Sequence, residues 1–155
     1  MADLQTLFAY EKAIETAWQQ VLASQGFNAY MAATDQTKIT PYVDIILDKS
    51  SVYPNKERGQ RYVTSDGKQY FSMWHGHLVS TVYTNRGTNS DQNTAIVGTV
   101  RSLAVPDSFD PLLEFHQVAL LEDVGTTRGI DTTRLLDWSQ ITYLITFGIR
   151  PNAWP

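Results

Sequence analysis

The run Ser139-Gln-Ile-Thr-Tyr-Leu-Ile-Thr-Phe-Gly-Ile-Arg150 constrains the fold more than any other part of the chain. Ile141, Tyr143, Ile145, Phe147 and Ile149 fall on one side of it. Gln140, Thr142, Thr146, Gly148 and Arg150 fall on the other, with Leu144 the one apolar exception. Successive side chains of a strand point to opposite faces, so this pattern predicts a half-buried strand inside a sheet.

The chain has 155 residues, of which 43% are hydrophobic and 18% charged. That length and balance predict one globular domain, residues 1–155, with a core of its own. The net charge of −4 sets 12 Lys and Arg among 16 Asp and Glu. Nucleic-acid-binding domains usually carry a basic stripe, so no specific nucleic acid is expected as partner. There is no cysteine, which removes disulfides, thiolate metal sites and cysteine nucleophiles. Met1-Ala-Asp-Leu leads into an amphipathic pattern without a basic region before an apolar one, so no signal peptide is expected. No apolar run reaches the length of a membrane span, so no membrane partner is expected.

Leu4, Leu7, Phe8, Ile14, Trp18, Val21 and Leu22 keep the spacing of one helical face. The spacing predicts a helix over residues 4–24, capped by Asp3 and stopped by Gly26. Residues 27–33 suit a short strand. In residues 42–47, Val43, Ile45 and Leu47 share a face. Residues 48–60 turn polar and contain Pro54 and Gly59, which predicts a loop. Ser65-Asp66-Gly67 between β-prone runs predicts a hairpin. Its second arm, residues 68–84, carries large apolar groups on both faces, and Gly76 suits a bulge within it. Residues 90–103 read as a second helix, opened by Ser90 and Asp91, with Ile96, Val100 and Leu103 as its stripe and Pro106 beyond its end. Residues 115–121 suit a strand, and the glycines and polar residues of 122–137 predict an exposed loop. The order predicts an α+β fold: a mostly antiparallel sheet with two helices packed on one face.

Chemical motifs are sparse. His75 and His77, at i and i+2 of a strand, point the same way, and His116 offers a third nitrogen. Those three define a candidate zinc site with an open position for water. Against it, no Asp or Glu close in sequence supports the histidines, and surface or interface histidines are the plainer reading. The carboxylate pairs Glu122–Asp123 and Asp107–Asp110 lie in expected loops with nothing to raise a pKa. No serine sits in a nucleophile elbow, and Gly125-Thr-Thr-Arg-Gly129 lacks the lysine and context of a phosphate loop. Lys56, Arg58 and Arg61 read as a solvated loop. Trp18 belongs to a helical stripe and Trp74 suits the core. Trp138 and Trp154 flank the last strand, where apolar anchors close a core or meet a partner. An ordered Trp154 needs something to hold it.

The layout of an amphipathic helix at 4–24, a long hairpin strand at 68–84 and a polar-capped helix at 90–103 covers most of the chain. With Phe115-His-Gln-Val-Ala-Leu-Leu-Glu-Asp-Val-Gly125 and the closing Ile141-Thr-Tyr-Leu-Ile-Thr-Phe-Gly-Ile-Arg-Pro-Asn-Ala-Trp154, it resembles the tail terminator and tail-completion proteins of long-tailed bacteriophages. The resemblance implies a small α+β subunit that forms a ring, commonly a hexamer, at the head–tail junction of the virion. Such a ring assembles in the host cytoplasm, caps the tail tube, stops its polymerisation and meets the capsid connector or a neck protein. It implies no catalytic residue and no cofactor.

A ring subunit needs two different complementary patches. Phe71, Met73, His75, His77 and Val79 on the long strand, together with Trp154, are the candidate subunit interface. The loops at 48–60 and 122–137 are candidates for contact with tube or connector. The rival readings are another neck or head-completion protein on a similar fold, a small metal-dependent hydrolase using His75, His77 and His116, and a binding module for a small ligand.

Overall fold

Two helices lie against a five-stranded, mostly antiparallel sheet, giving an α+β fold. This computed structural model describes residues 7–32, 34, 36–54, 62–63, 69–70, 72–87, 90–109, 112–113 and 118–149. Helix α1 spans Leu7–Ser24 and α2 spans Ser90–Leu103. The strands are β1 (Asn28–Met31), β2 (Tyr42–Pro54), β3 (Tyr62–Val63), β4 (Gln69–Tyr70), β5 (Ser72–Asn85), β6 (Val118–Asp131) and β7 (Leu136–Ile149). The large sheet runs β1-β2-β5-β7-β6, and β3 pairs with β4 in a separate small one.

Helix α1 buries Ile14, Trp18, Val21 and Leu22 of the predicted stripe, together with Ala17. It ends where Gly26 takes the left-handed conformation (φ 86°). There Gly26 N–H donates to Ala23 O at 3.0 Å and Phe27 N–H to Leu22 O at 3.2 Å. Glycine carries no Cβ penalty in that region, which is why it closes helices. Helix α2 has Asp91 in its first turn and Arg101 in its last, both suited to the helix dipole. Its buried stripe is Asn93, Val97 and Val100, while Ile96 and Leu103 pack at its margin.

The closing strand behaves as its alternation requires. Ile141, Tyr143, Ile145 and Phe147 are buried at 2% exposure or less. They meet Leu78, Ser80 and Val82 of β5 and the two helices above. Trp18 ties the layers together: its ring stacks on Phe109, meets Tyr143 edge-on, and its indole N–H donates to Ser80 Oγ at 2.8 Å. On the same face, Asn93 donates to Val82 O and Thr84 Oγ1 and accepts from Ser139 Oγ, so the end of α2 nearest β5 and β7 is held by hydrogen bonds.

Four expectations need correction. Residues 122–137 are not a loop: β6 occupies Val118–Asp131, β7 starts at Leu136, and only residues 132–135 turn between them. Strand β6 borders the sheet and is exposed on both faces along most of its length, so the polarity signal of a half-buried strand never forms. Residues 48–54 also belong to a strand, because β2 continues to Pro54. The rest of that expected loop lies outside the described residues. The long arm 68–84 is divided into β4 and β5. Asp3, residues 4–6 and Ser65-Asp66-Gly67 lie outside the described residues, although Tyr62 and Val63 do pair with Tyr70 and Gln69. Gly76 sits opposite an irregularity rather than in one. The β5–β7 register runs unbroken through it, while β2 inserts extra residues between Asp48 and Tyr53.

Candidate assembly face

Both helices pack on one face of the sheet; no described helix lies on the other, where Lys38 and Arg134 reach over the Tyr42–Tyr83 end. Ladder register places His75, His77, Val79, Thr81 and Tyr83 of β5 along the middle of this open face. Opposite them on β7 stand Thr146, Leu144, Thr142, Gln140 and Trp138. On β2, Val79, Thr81 and Tyr83 face Ile46, Asp44 and Tyr42. His75, His77 and Val79 are half-buried by their neighbours in the sheet, while Ile46 and Leu120 are exposed. His75 Nδ1 lies 2.8 Å from Thr146 Oγ1, which fixes that ring against β7.

One end of the open face is aromatic and charged. Tyr42 stacks on Tyr83 with centroids 4.8 Å apart, and Tyr30 of β1 meets Tyr42 edge-on at 5.8 Å. Arg134, from the β6–β7 turn, lies over the Tyr83 ring at 5.1 Å and donates to the Tyr42 hydroxyl at 3.2 Å. Its Nε also donates to Asp131 Oδ2 at 2.6 Å, and Asp131 Oδ1 accepts from the N–H groups of Thr133 and Arg134. Those backbone and side-chain bonds hold the Asp131 carboxyl below its usual range. Lys38 Nζ sits 2.9 and 3.0 Å from the two oxygens of Asp44 and 5.9 Å from the Tyr42 ring centre.

Burial sets the protonation of this cluster. It raises Asp44 above the normal carboxylate range, and Lys38 offsets only part of that. It also raises Tyr42, opposed by Arg134. The cluster is therefore a partly dry arrangement of stacked rings and paired charges. It joins β1, β2, β5 and the β6–β7 turn at one end of the open face. Sequence reading missed it because its members come from four separate segments. Only Tyr42 and Asp44, alternating with Val43 and Ile45, marked a polar side of β2.

A second feature is an open cleft of about 210 Å3 between the start of α2 and the β6–β7 pair, lined by Asn93, Thr94, Arg128, Asp137 and Ser139. Asn93 and Ser139 are already hydrogen-bonded to each other, which leaves Arg128 and Asp137 as its solvent-facing charges.

Of the candidate interface residues, His75, His77 and Val79 do share one sheet face, as their spacing requires. Met73 continues the strand in register with Gly148. Phe71 and Trp154 lie outside the described residues, as does His116. Among the described residues, no group of His, Asp or Glu is arranged to hold a metal ion. Glu122 is an exposed strand residue, and Asp123 pairs with Arg101 of α2 at 2.8 Å. Trp138 stands on the open face with its indole over Gly129. Among the described residues, no helix is long and apolar enough to cross a membrane.

Set beside known proteins, the chain matches no protein-family model and no curated protein.

Proposed function

We propose that this chain is the tail terminator of a long-tailed bacteriophage. It would be a non-enzymatic subunit whose ring, a hexamer by resemblance, caps the tail tube, stops its polymerisation and presents a surface to the capsid connector. One observation supports the reading beyond the resemblance: the sheet has two helices packed on one face and a second face on which no described helix lies. Antiparallel sheets commonly leave one face to solvent, and an assembly subunit can use such a face as a contact surface. The mixed character of that face, with His75, His77 and Val79 beside Leu144 and Ile46, suits a contact formed between subunits that are soluble before assembly.

The test is deletion of the gene from a phage that carries it, followed by electron microscopy of the tails. Tails of uncontrolled length are expected. Wild-type tail lengths would sink the assignment, and wild-type tails left unjoined to heads would move the protein to the neck.

A further inference from the structure

The sheet ends in two borders that differ in how they are closed. On one side β1 pairs with Tyr42 to Ile45 only. Glu15 of α1 then accepts the Leu47 N–H at 3.0 Å, and Gln19 donates to Ala29 O at 2.9 Å. Beyond that point, residues 49–53 of β2 have no strand on their far side among the described residues. On the other side β6 spans Val118–Asp131 and pairs only with β7. Leu120, Val124 and Ile130 along it are 42%, 59% and 53% exposed. Register shifts between Val118 and Leu120 and between Asp123 and Gly125 interrupt this border, and the stretch Leu120 to Asp123 between them is the part free to template another strand.

The two open stretches match in height. Reading across the ladders, Leu120 shares a row with Thr146, His75 and Tyr53, and Glu122 shares one with Leu144, His77 and Asp48. They also match in direction. β2, β5, β7 and β6 alternate, so β6 runs opposite to β2. A copy displaced sideways by four strand spacings therefore brings its β2 alongside β6 in antiparallel orientation, at the level where both are open, with the two borders splaying apart where β1 lies level with Thr126 to Gly129.

From this geometry we infer that subunits join edge to edge, the β6 border of one copy pairing with residues 49–53 of the next to form a sheet continuous across the interface. The inference rests on the ring reading and supplies its two patches. The contact is head-to-tail, so each subunit gives one border and takes one, as a closed ring requires.

The chain has no cysteine, which gives a clean background for cross-linking. The variant Leu120→Cys/Tyr53→Cys, concentrated and treated with a short bis-maleimide, is expected to give a ladder of covalent multimers, since facing residues of neighbouring strands lie about 5 Å apart. Dimers from Leu120→Cys alone would show β6 pairing with β6 and overturn the inference, as would a folded double variant that does not cross-link. Adding Ala119→Lys, at an exposed position beside residue 120 on β6, is expected to suppress the ladder with the circular dichroism unchanged; an undiminished ladder overturns edge pairing. Glu122→Gln, which removes a like charge from the row shared with Asp48, is expected to raise the yield, and an unchanged yield counts against this alignment. Rings without a ladder reject edge pairing but keep the terminator reading, and a ladder with normal tails in the deletion strain does the reverse.

Discussion

The indole of Trp138 fills the space above Gly129 where a side chain would stand: a Cβ built on that glycine lies 2.6 Å from Cε2 and 3.0 Å from Nε1 of the ring. The two residues are direct cross-strand partners on β7 and β6, so the close approach is a property of the ladder itself. Gly129→Ala is expected to push the ring out of place and to destabilise the fold by about 1–3 kcal/mol, the usual cost of overpacking. In Trp138→Ala the same substitution should cost far less. A double-mutant cycle in urea measures the difference, and additive effects would contradict the contact.

Tyr143 gives the opposite expectation. Its ring is buried against Trp18, while its hydroxyl has no hydrogen-bond partner among the described residues, and burial drives its pKa well up. An unpaired buried hydroxyl costs free energy to desolvate. Tyr143→Phe should therefore leave stability unchanged or raise it by up to about 1 kcal/mol. A loss of more than that in denaturant melts would show that the hydroxyl has a partner.

Ser80→Ala removes the acceptor of the Trp18 indole N–H at the centre of the core. The remaining donor is buried with no alternative, so a loss of about 1–3 kcal/mol is expected, with a shift in Trp18 fluorescence. Ser80→Thr keeps the hydroxyl and tests whether the hydrogen bond or the volume matters.

Asp44 makes stability depend on pH in an unusual sense. Its folded pKa is raised above the unfolded value of 3.8, so between the two the native state binds more protons than the unfolded chain. Its contribution therefore falls as pH rises through that window. Lys38→Met removes both influences by which Lys38 lowers this pKa, so the carboxyl should titrate higher still and the fall should deepen. At neutral pH the variant leaves a carboxylate that is 14% exposed without its ion-pair partner, expected to cost about 1–3 kcal/mol. Carbon-13 titration of Asp44 in both proteins decides the direction.

Glu15 caps the backbone of β2 where β1 stops. Glu15→Ala should speed amide exchange at Leu47 selectively, with Glu15→Gln restoring much of the protection because an acceptor oxygen remains. Uniformly faster exchange across β2 would instead indicate loss of strand β1.

Periodicity was enough to read the two helices, the closing strand and the α+β layering. Residues such as Ile14, Trp18, Ile141 and Phe147 carry that information alone, since an element with one buried face must alternate at its own repeat. The same rule explains what stayed hidden. Border strand β6 is wet on both sides, so Glu122 to Asp131 looks like a loop, and beyond Leu47 the polar sequence of β2 hides its continuation. Spacing also placed His75, His77 and Val79 on one face, but nothing in the sequence said which face the helices would leave open.

Register decided the rest. The stacking of Tyr42 on Tyr83, the seat of Arg134 above them, the Lys38–Asp44 pair and the fit of Trp138 over Gly129 all join residues distant in sequence. Each depends on which strand lies beside which and at what offset. A sequence fixes the period of its own strands, because side-chain alternation is local. The pairing of those strands, and therefore the open face and the two unmatched borders, is set by packing across the whole sheet.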